Sequence, residues 1–321
     1  MTAFLHSFGA TFLAISEVAI VVAGAWVLAA RGVVTPATVR GLSDVSVFVF
    51  LPCLLFSNIV DTFPPAEHSL WWVVPLVAAA MFLGSTLIAT LAFARDLKTK
   101  RDTIPLAAMQ NAGYLVLPVG QVLVPEDFDR FALYCFLYLL MFNPLFWSVG
   151  KFLTTSGAGG NGGGFQWRGL VSPPMVANLA ALTMVFTGAR VFIPGPAAAA
   201  VRLVGSATIP VAVFVLGASL GGMVHRYREH LADALRTMSI KLMVIPLITI
   251  LALSQTSLRE TDPILALMLV LQGASPPAIN IMLQINTYGG NLDRSGTIIL
   301  LNYIVALLTI PFWVAVWQVI G

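Results

Sequence analysis

The chain has 321 residues, of which 58% are hydrophobic and only 10% are charged, and its formal net charge is +3. Soluble domains carry about 25% charged residues, and a soluble fold of this length could not bury so much apolar surface. The mean hydropathy of +0.91 and repeated near-uncharged runs of about 20 residues predict a polytopic helical membrane protein in contact with lipid. No nucleic-acid-binding module is visible, and we expect no nucleic-acid partner.

Ten apolar segments are predicted to cross the membrane as helices. They cover residues 8–30, 41–60, 70–94, 103–124, 130–152, 170–189, 199–222, 233–254, 263–287 and 295–319. The first segment lacks a preceding cationic stretch and is long enough to span, so we expect no cleavable signal peptide. Cys53 and Cys135 lie inside predicted spans, where each is expected to be a small apolar side chain rather than half of a disulfide.

A glycine-rich stretch divides these spans five and five. It includes the run Gly157–Gly164 and is typical of a flexible linker. The predicted organisation is therefore a first five-helix repeat over residues 1–152, a cytoplasmic linker over 153–169 and a second repeat over 170–321. Because five is an odd number, the two repeats are expected to have opposite orientations in the membrane.

The basic residues of the loops predict which side each loop faces. Of the 17 Lys and Arg residues, 12 lie in loops after odd-numbered spans, 4 lie in the opposite loops, and Lys241 lies within the eighth span. The positive-inside rule then places the odd-numbered loops in the cytoplasm and both termini outside it. We expect the Lys241 side chain to reach towards the cytoplasmic surface.

Two apolar segments contain prolines at matching spacing, half a chain apart. The first runs from Pro105 to Pro118, and the second runs from Pro263 to Pro276 and Pro277. A proline inside an apolar helix removes a hydrogen bond and clashes with the preceding turn, so each segment is expected to be broken. One such segment alone is equally well explained as a kinked helix. A matched pair in two inverted halves points instead to the binding site of a transporter.

Small and polar residues accompany both predicted breaks. The candidate binding residues are Asn111, Gly113, Pro118, Gln272, Ser275, Pro276, Pro277 and Asn280. The amino-terminal ends of broken helices carry partial positive charge and free N–H groups, which suit a carboxylate. Amide and hydroxyl side chains add donors and acceptors without the burial cost of a charge.

The residues around the breaks resemble those of a known family. Asn111–Pro118 and Gln272–Pro276 are similar to the two helix-crossover motifs of the auxin efflux carrier family, which includes plant PIN-FORMED proteins and shorter bacterial members. Leu51–Phe56, which follows Arg40–Ser43, is similar to that family's second helix. The long cytoplasmic loop of the plant carriers is absent, and residues 153–169 stand in its place.

The resemblance implies an all-α fold of ten helices in two inverted repeats, with broken, crossing helices four and nine. It is similar to the fold of bile acid:sodium symporters. The resemblance further implies that Asn111, Pro118 and Pro276 line the site, that spans one, two, six and seven form a scaffold, and that transport is elevator-like. A homodimer in a bacterial inner membrane is also implied, with small carboxylates such as malate or malonate as substrates.

The predicted function is secondary active transport of small organic anions, by efflux or exchange, with no cofactor, no metal site and no catalytic residue. Glu17, inside the first span, is the candidate coupling residue. Its alternative role is a hydrogen-bonded carboxyl between helices or in an outer vestibule. The sequence leaves the coupling ion undecided between a proton and a sodium ion.

Three other functions stay open at this stage. The first is a sodium-coupled symporter of larger amphipathic anions, and the second is a sensor that binds without transport. The third is an intramembrane serine hydrolase using Ser219, because Gly217–Gly221 matches a nucleophile motif. That motif requires a strand–turn–helix context, so a helix-packing face of small residues is the favoured interpretation.

Overall fold

The protein is all-helical over the part of the chain that the structure describes. A computed structural model describes residues 2–63, 71–155, 173–222, 227–288 and 290–320. In chain order the helices are α1 (Thr2–Ala30), α2 (Pro36–Thr62), α3 (Val73–Ala92), α4a (Thr103–Ala108), α4b (Val116–Leu123), α5 (Phe128–Thr154), α6 (Pro173–Phe186), α7 (Gly195–Gly221), α8 (Glu229–Leu253), α9a (Pro263–Ala274), α9b (Asn280–Tyr288) and α10 (Leu292–Ile320). Short helical turns cover Ala94–Asp96, Leu97–Lys100, Ala189–Phe192 and Leu258–Thr261.

Seven of the described helices are long and apolar enough to cross a membrane: α1, α2, α3, α5, α7, α8 and α10. This finding confirms a polytopic helical membrane protein. The sixth predicted span corresponds to the shorter apolar helix α6, and the fourth and ninth are each divided into two helices. Most of the predicted linker 153–169, including Gly157–Gly164, lies outside the described residues.

Three long helices contain a widened π-helical turn, and in two of them a proline explains it. The turns are Ser46–Phe50 in α2, Phe146–Gly150 in α5 and Ser239–Val244 in α8. Pro52 and Pro246 follow the first and third turns, and a proline cannot donate to the carbonyl four residues before it. The carbonyl of Leu242, four residues before Pro246, instead accepts the indole N–H of Trp313 at 2.7 Å.

Helix α7 approaches α1 closely because glycine leaves room at the contact. A Cβ atom added at Gly217 would lie 2.2 Å from the Val22 carbonyl oxygen, and one at Gly221 would lie 2.4 Å from that of Trp26. Gly217–Gly221 therefore forms a helix-packing face within the continuous helix α7, without the strand–turn–helix geometry of a nucleophile motif. A second close approach occurs where Gly205 of α7 meets the backbone of Leu54 in α2.

Ion pairs join the loop after α3 to the starts of α8 and α10. Lys100 pairs with Asp233 at 2.6 Å, and Arg236 pairs with Asp96 at 2.6 Å. The third pair joins Arg294 to Asp102, and both of these side chains are almost fully buried. The second Asp102 carboxylate oxygen accepts the backbone N–H of Asn291 at 2.8 Å, so this carboxylate fixes the start of α10.

A second group of polar contacts lies where the loops after even-numbered helices meet. Arg130 at the start of α5 pairs with Asp262 at 2.9 Å, and the Tyr134 hydroxyl donates to the same carboxylate. Asp262 also caps α9a by accepting the backbone N–H of Leu265 at 3.1 Å. Such a side-chain cap satisfies one of the free donors of the first helical turn.

Candidate functional site

The breaks in helices four and nine lie against each other and complete each other's backbone hydrogen bonds. The backbone N–H of Asn111 donates to the Pro276 carbonyl at 2.8 Å, and that of Ala278 donates to the Met109 carbonyl at 3.0 Å. Gln110 and Pro277 are opposite each other in this short antiparallel bridge. Backbone that leaves a helix at membrane depth needs partners within the protein, and here each break supplies them for the other.

The prolines of the two segments have different positions relative to the breaks, contrary to the prediction from their spacing. The second break runs from the end of α9a to Asn280 and includes Pro276 and Pro277. The first break covers Met109–Leu115, and Pro118 is the third residue of α4b. The first three helical residues need no intrahelical donor, so a proline is tolerated there without breaking the helix.

Side chains from three helices hold the two breaks together. The Gln272 amide donates to the Ala112 carbonyl at 3.0 Å, and the Ser275 hydroxyl donates to the Asn111 carbonyl at 3.1 Å. The Asn111 amide donates to the Tyr303 hydroxyl at 2.6 Å, and this hydroxyl donates to the Pro277 carbonyl at 3.1 Å. Tyr303 of α10 therefore bridges the two breaks through one oxygen atom.

A cavity of about 100 Å³ lies beside the first break. Its lining residues come from α2, α4b, α5, α6, α7, α9b and both breaks, and they are Val47, Leu51, Gln110, Asn111, Ala112, Gly113, Tyr114, Leu117, Pro118, Leu139, Phe142, Asn143, Phe146, Trp147, Pro174, Thr208, Ile209, Ala212, Ala278 and Asn280. The structure thus brings Asn111, Gly113, Pro118 and Asn280 together at one cavity. The other predicted residues, Gln272, Ser275, Pro276 and Pro277, are buried beside the break outside this lining.

The cavity offers neutral hydrogen-bonding groups. None of its lining residues in the described chain carries a formal charge, and four of them have amide side chains. The side chains of Asn143 and Asn280 make no hydrogen bond to a described residue, and neither do the backbone N–H groups of Gly113 and Tyr114. Free N–H groups beside the amino-terminal end of α4b can bind the oxygens of an anion.

Three residues of this region were not among the predicted site residues. Asn143 lines the cavity and directly precedes Pro144 in α5, so an amide beside a proline in an apolar span was the available signal. Gln110 lines it too and donates its amide to Tyr138. Tyr303 is 192 residues from Asn111, and its sequence context offers no comparable signal.

Glu17 and Lys241 lie in contrasting environments, and only that of Lys241 differs from expectation. Glu17 lies on the exposed surface of α1 and does not line the crossover cavity. Lys241 does not reach the surface: it is fully buried within the π-helical turn of α8, and its Nζ has no hydrogen-bond partner among the described residues. The snorkelling rule applies near helix ends, whereas Lys241 lies at the middle of α8.

A second, apolar cavity of about 350 Å³ lies between α1, α7 and α10. Ile15, Val18 and Val22 of α1 line it, together with Leu115 from the first break and Tyr303. Tyr303 therefore contacts this cavity and also bonds to Asn111 of the crossover cavity. The described residues contain no cluster of three or more His, Cys, Asp or Glu side chains that could hold a metal ion.

An all-helical membrane protein in which two broken helices pair beside a cavity with amide side chains belongs to the class of membrane transporters with discontinuous helices. A family model described as membrane transport protein matches residues 11–158 and 163–314. The chain therefore belongs to this family, the auxin efflux carrier family that its crossover motifs resemble. A comparison with curated proteins finds no match.

Proposed function

We propose that this transporter is a secondary active carrier of small organic anions, working by efflux or exchange, and that it binds the anion at the helix crossover. The observation that carries the proposal is the cavity where unpaired backbone N–H groups and amide side chains meet beside the paired breaks. A substrate carboxylate at this position would receive hydrogen bonds from Gly113 and Tyr114 and from the amides of Asn143 and Asn280. Gln272 and Ser275, whose donors are engaged with backbone, would hold the site in shape.

The size of the cavity favours a small substrate. Pockets for drug-sized ligands measure about 300–1,000 Å³, so a cavity of about 100 Å³ fits a carboxylate of a few carbon atoms better than a larger ligand. A larger amphipathic anion of the bile acid type would need the cavity to expand.

The packing of the helices supports two inverted repeats over residues 1–152 and 170–321. In a duplicated five-helix unit, α1 corresponds to α6 and α2 corresponds to α7. The contact of α1 with α7 then has its counterpart in the contact of α6 with α2. Likewise, α3 corresponds to α8 and α5 corresponds to α10, so the contact of α3 with α5 has its counterpart in the contact of α8 with α10. All four contacts are extensive, as expected for a duplicated five-helix unit inserted in both orientations.

Loop contacts support the alternation of sides from which the proposed orientation follows, with both termini outside the cytoplasm of a bacterial inner membrane. The three ion pairs of Asp96, Asp102 and Asp233 join loops that follow odd-numbered helices. The Arg130–Asp262 and Arg202–Asp61 pairs join loops that follow even-numbered helices. Each of these pairs thus connects loops that the positive-inside rule assigns to the same side.

The position of the cavity supports an elevator-type movement. Its walls come from α2, α6 and α7 of the proposed scaffold and from α4, α5 and α9 of the proposed transport part. The ion pairs described above each join elements within one of these parts: four lie in the transport part and the Arg202–Asp61 pair lies in the scaffold. Sliding one part along the other, in a homodimer held by its scaffolds, would carry the bound anion across the membrane.

A thermal-shift screen of the purified protein tests the binding step. Small carboxylates and their uncharged amides are compared at several pH values, with and without sodium. A ligand that binds only the folded state adds about 2.7 kcal/mol to the free energy of unfolding at 100 times its Kd, and thereby raises the melting temperature. We expect carboxylates to stabilise the wild type and to lose this effect in Asn280→Ala, while Gln121→Ala, an exposed amide of α4b, retains it. Equal stabilisation by carboxylates and amides would contradict the proposal.

A further inference from the structure

Lys241 combines complete burial with the absence of a bonding partner. None of its side-chain surface is exposed, and Nζ makes no hydrogen bond to a described residue. An ionisable side chain at such depth in a membrane protein is expensive to retain and marks a functional site by default. The proposed anion site does not include it, because Lys241 is absent from the lining of the crossover cavity.

The helices that pack against the turn of Lys241 also contain polar atoms without partners. The π-helical turn that carries it packs against α4a, α9a and α10 as well as the rest of α8. These elements contribute further buried side-chain oxygens with no hydrogen-bond partner among the described residues: Thr103, Thr237, Gln272, Ser295 and Asn302. The helices that pack around this turn thus contain several buried polar groups besides the lysine.

Among the described residues, no carboxylate pairs with the Lys241 amino group. On α8 itself the charged or titratable residues are Glu229, His230, Asp233 and Arg236, all in the first third of the helix, and Asp233 and Arg236 are paired with Lys100 and Asp96. Asp233 precedes Lys241 by eight residues, or about 12 Å of helix. Helix α10 contributes Asp293 and Arg294 at its start, with Arg294 paired to Asp102, and α4a and α9a contain no charged residue. The other titratable group of α10 is Tyr303, whose hydroxyl is bonded to Asn111 and to the Pro277 carbonyl.

We propose that Lys241 is the proton-binding residue that couples proton movement to the anion. This inference rests on the proposed function, because in that function the substrate carboxylate supplies the negative charge that balances a protonated Lys241. A proton on Nζ and an anion at the crossover each favour the binding of the other, since linkage between two sites is reciprocal. The turn of Lys241 contacts α4a and α9a, and both of these half-helices end at the crossover.

The proposed cycle requires no covalent step. The amino group takes one proton from water on the side where the anion enters, and the ammonium returns that proton to water on the side where the anion leaves. Proton and anion therefore move in the same direction, and a monocarboxylate is carried without net charge movement.

A measurement without substrate tests whether Lys241 exchanges a proton in the folded protein. Melting curves of the wild type, Lys241→Met and the exposed control Lys98→Met are recorded between pH 5 and pH 9. The unfolded chain keeps its lysines protonated throughout this range. A folded state that releases the Lys241 proton therefore becomes more stable relative to Lys241→Met as the pH rises. We expect this difference to grow with pH, and Lys98→Met to run parallel to the wild type.

Transport in proteoliposomes tests the coupling itself, with labelled malonate as the probe. Malonate carried with one proton still moves one negative charge, so the membrane potential is held at zero with potassium and valinomycin. A gradient of one pH unit can then drive malonate to a concentration ratio of about ten. We expect wild type and Lys98→Met to accumulate malonate along the gradient, and Lys241→Met to lose accumulation while it still exchanges malonate for malonate.

The outcomes separate this inference from the proposed function. Parallel melting curves for wild type and Lys241→Met, or gradient-driven accumulation by Lys241→Met at the wild-type level, overturn the role of Lys241. A melting difference that grows with pH, without malonate exchange by any variant, supports proton binding at Lys241 and contradicts malonate as a substrate of the proposed carrier.

Discussion

The close contact between α1 and α7 gives the most sharply defined prediction for stability. Substituting Gly217→Ala would place a Cβ atom 2.2 Å from the Val22 carbonyl oxygen, whereas ordinary contact begins at 3.4 Å. The two helices would have to move apart by about 1 Å, because backbone rather than a flexible side chain stands in the way. Overpacking of this kind costs about 1–3 kcal/mol.

A matched control is available on the facing helix. A Cβ atom added at Gly24 of α1 meets nothing within 4 Å, so Gly24→Ala should be neutral or should stabilise the helix by up to about 1 kcal/mol. Thermal unfolding in detergent compares the two variants with the wild type. We expect Gly217→Ala to melt at a lower temperature than both. Melting of Gly217→Ala at or above the wild-type temperature would refute the close packing of α1 on α7.

Three further predictions concern polar contacts. Asp102→Asn leaves the buried guanidinium of Arg294 without its counter-charge, so we expect a loss of about 3–5 kcal/mol in the free energy of unfolding. Tyr303→Phe removes the hydroxyl that bridges the two breaks, so we expect a loss of about 1–3 kcal/mol, measured by thermal unfolding. The hydrogen bond from Arg236 lowers the pKa of Asp96, so this pair stabilises the fold above the ordinary carboxyl pKa and is lost as the pH falls through the lowered one. The stability of the wild type relative to Asp96→Asn, followed by melting between pH 6 and pH 3, should therefore decrease in acid.

The controls for these variants come from exposed positions. The Arg202–Asp61 pair is largely exposed, so Arg202→Gln should change the stability by less than about 1 kcal/mol. An equally small effect of Asp102→Asn would contradict the importance of the buried pair. Unchanged melting of Tyr303→Phe would argue against the bridging hydroxyl, and a constant difference between wild type and Asp96→Asn across the pH range would argue against the titration of Asp96.

The sequence predicted the long helices well because their signal is local. A run of about 20 apolar residues identifies α1 or α3 without reference to any other part of the chain. The position of the first break was predicted less well, because a proline near an amino-terminal helix end has no effect on the helix. Pro118 is such a case, and the break at Met109–Leu115 depends on backbone partners more than 160 residues away, such as Pro276.

The side-chain partners of the site required the structure for the same reason. Asn111 was predicted from its place before a proline, but its bond to Tyr303 joins two distant segments. For Lys241, the prediction from the sequence was wrong. Its expected snorkelling follows from the length of a lysine side chain near a helix end, whereas neighbouring helices bury it completely. Local rules describe a helix against lipid and cannot show which face a tertiary contact covers.

Exchange of labelled malonate by proteoliposomes containing wild type, Asn111→Ala or Gln121→Ala tests the central claim most directly. Asn111 lines the cavity and links both breaks through its amide and its backbone, whereas Gln121 is exposed on α4b. Loss of the amide and its hydrogen bonds should reduce exchange by at least about tenfold. We expect rapid exchange by wild type and Gln121→Ala and a loss of at least that size in Asn111→Ala. Exchange by Asn111→Ala at the wild-type rate would contradict transport through the helix crossover.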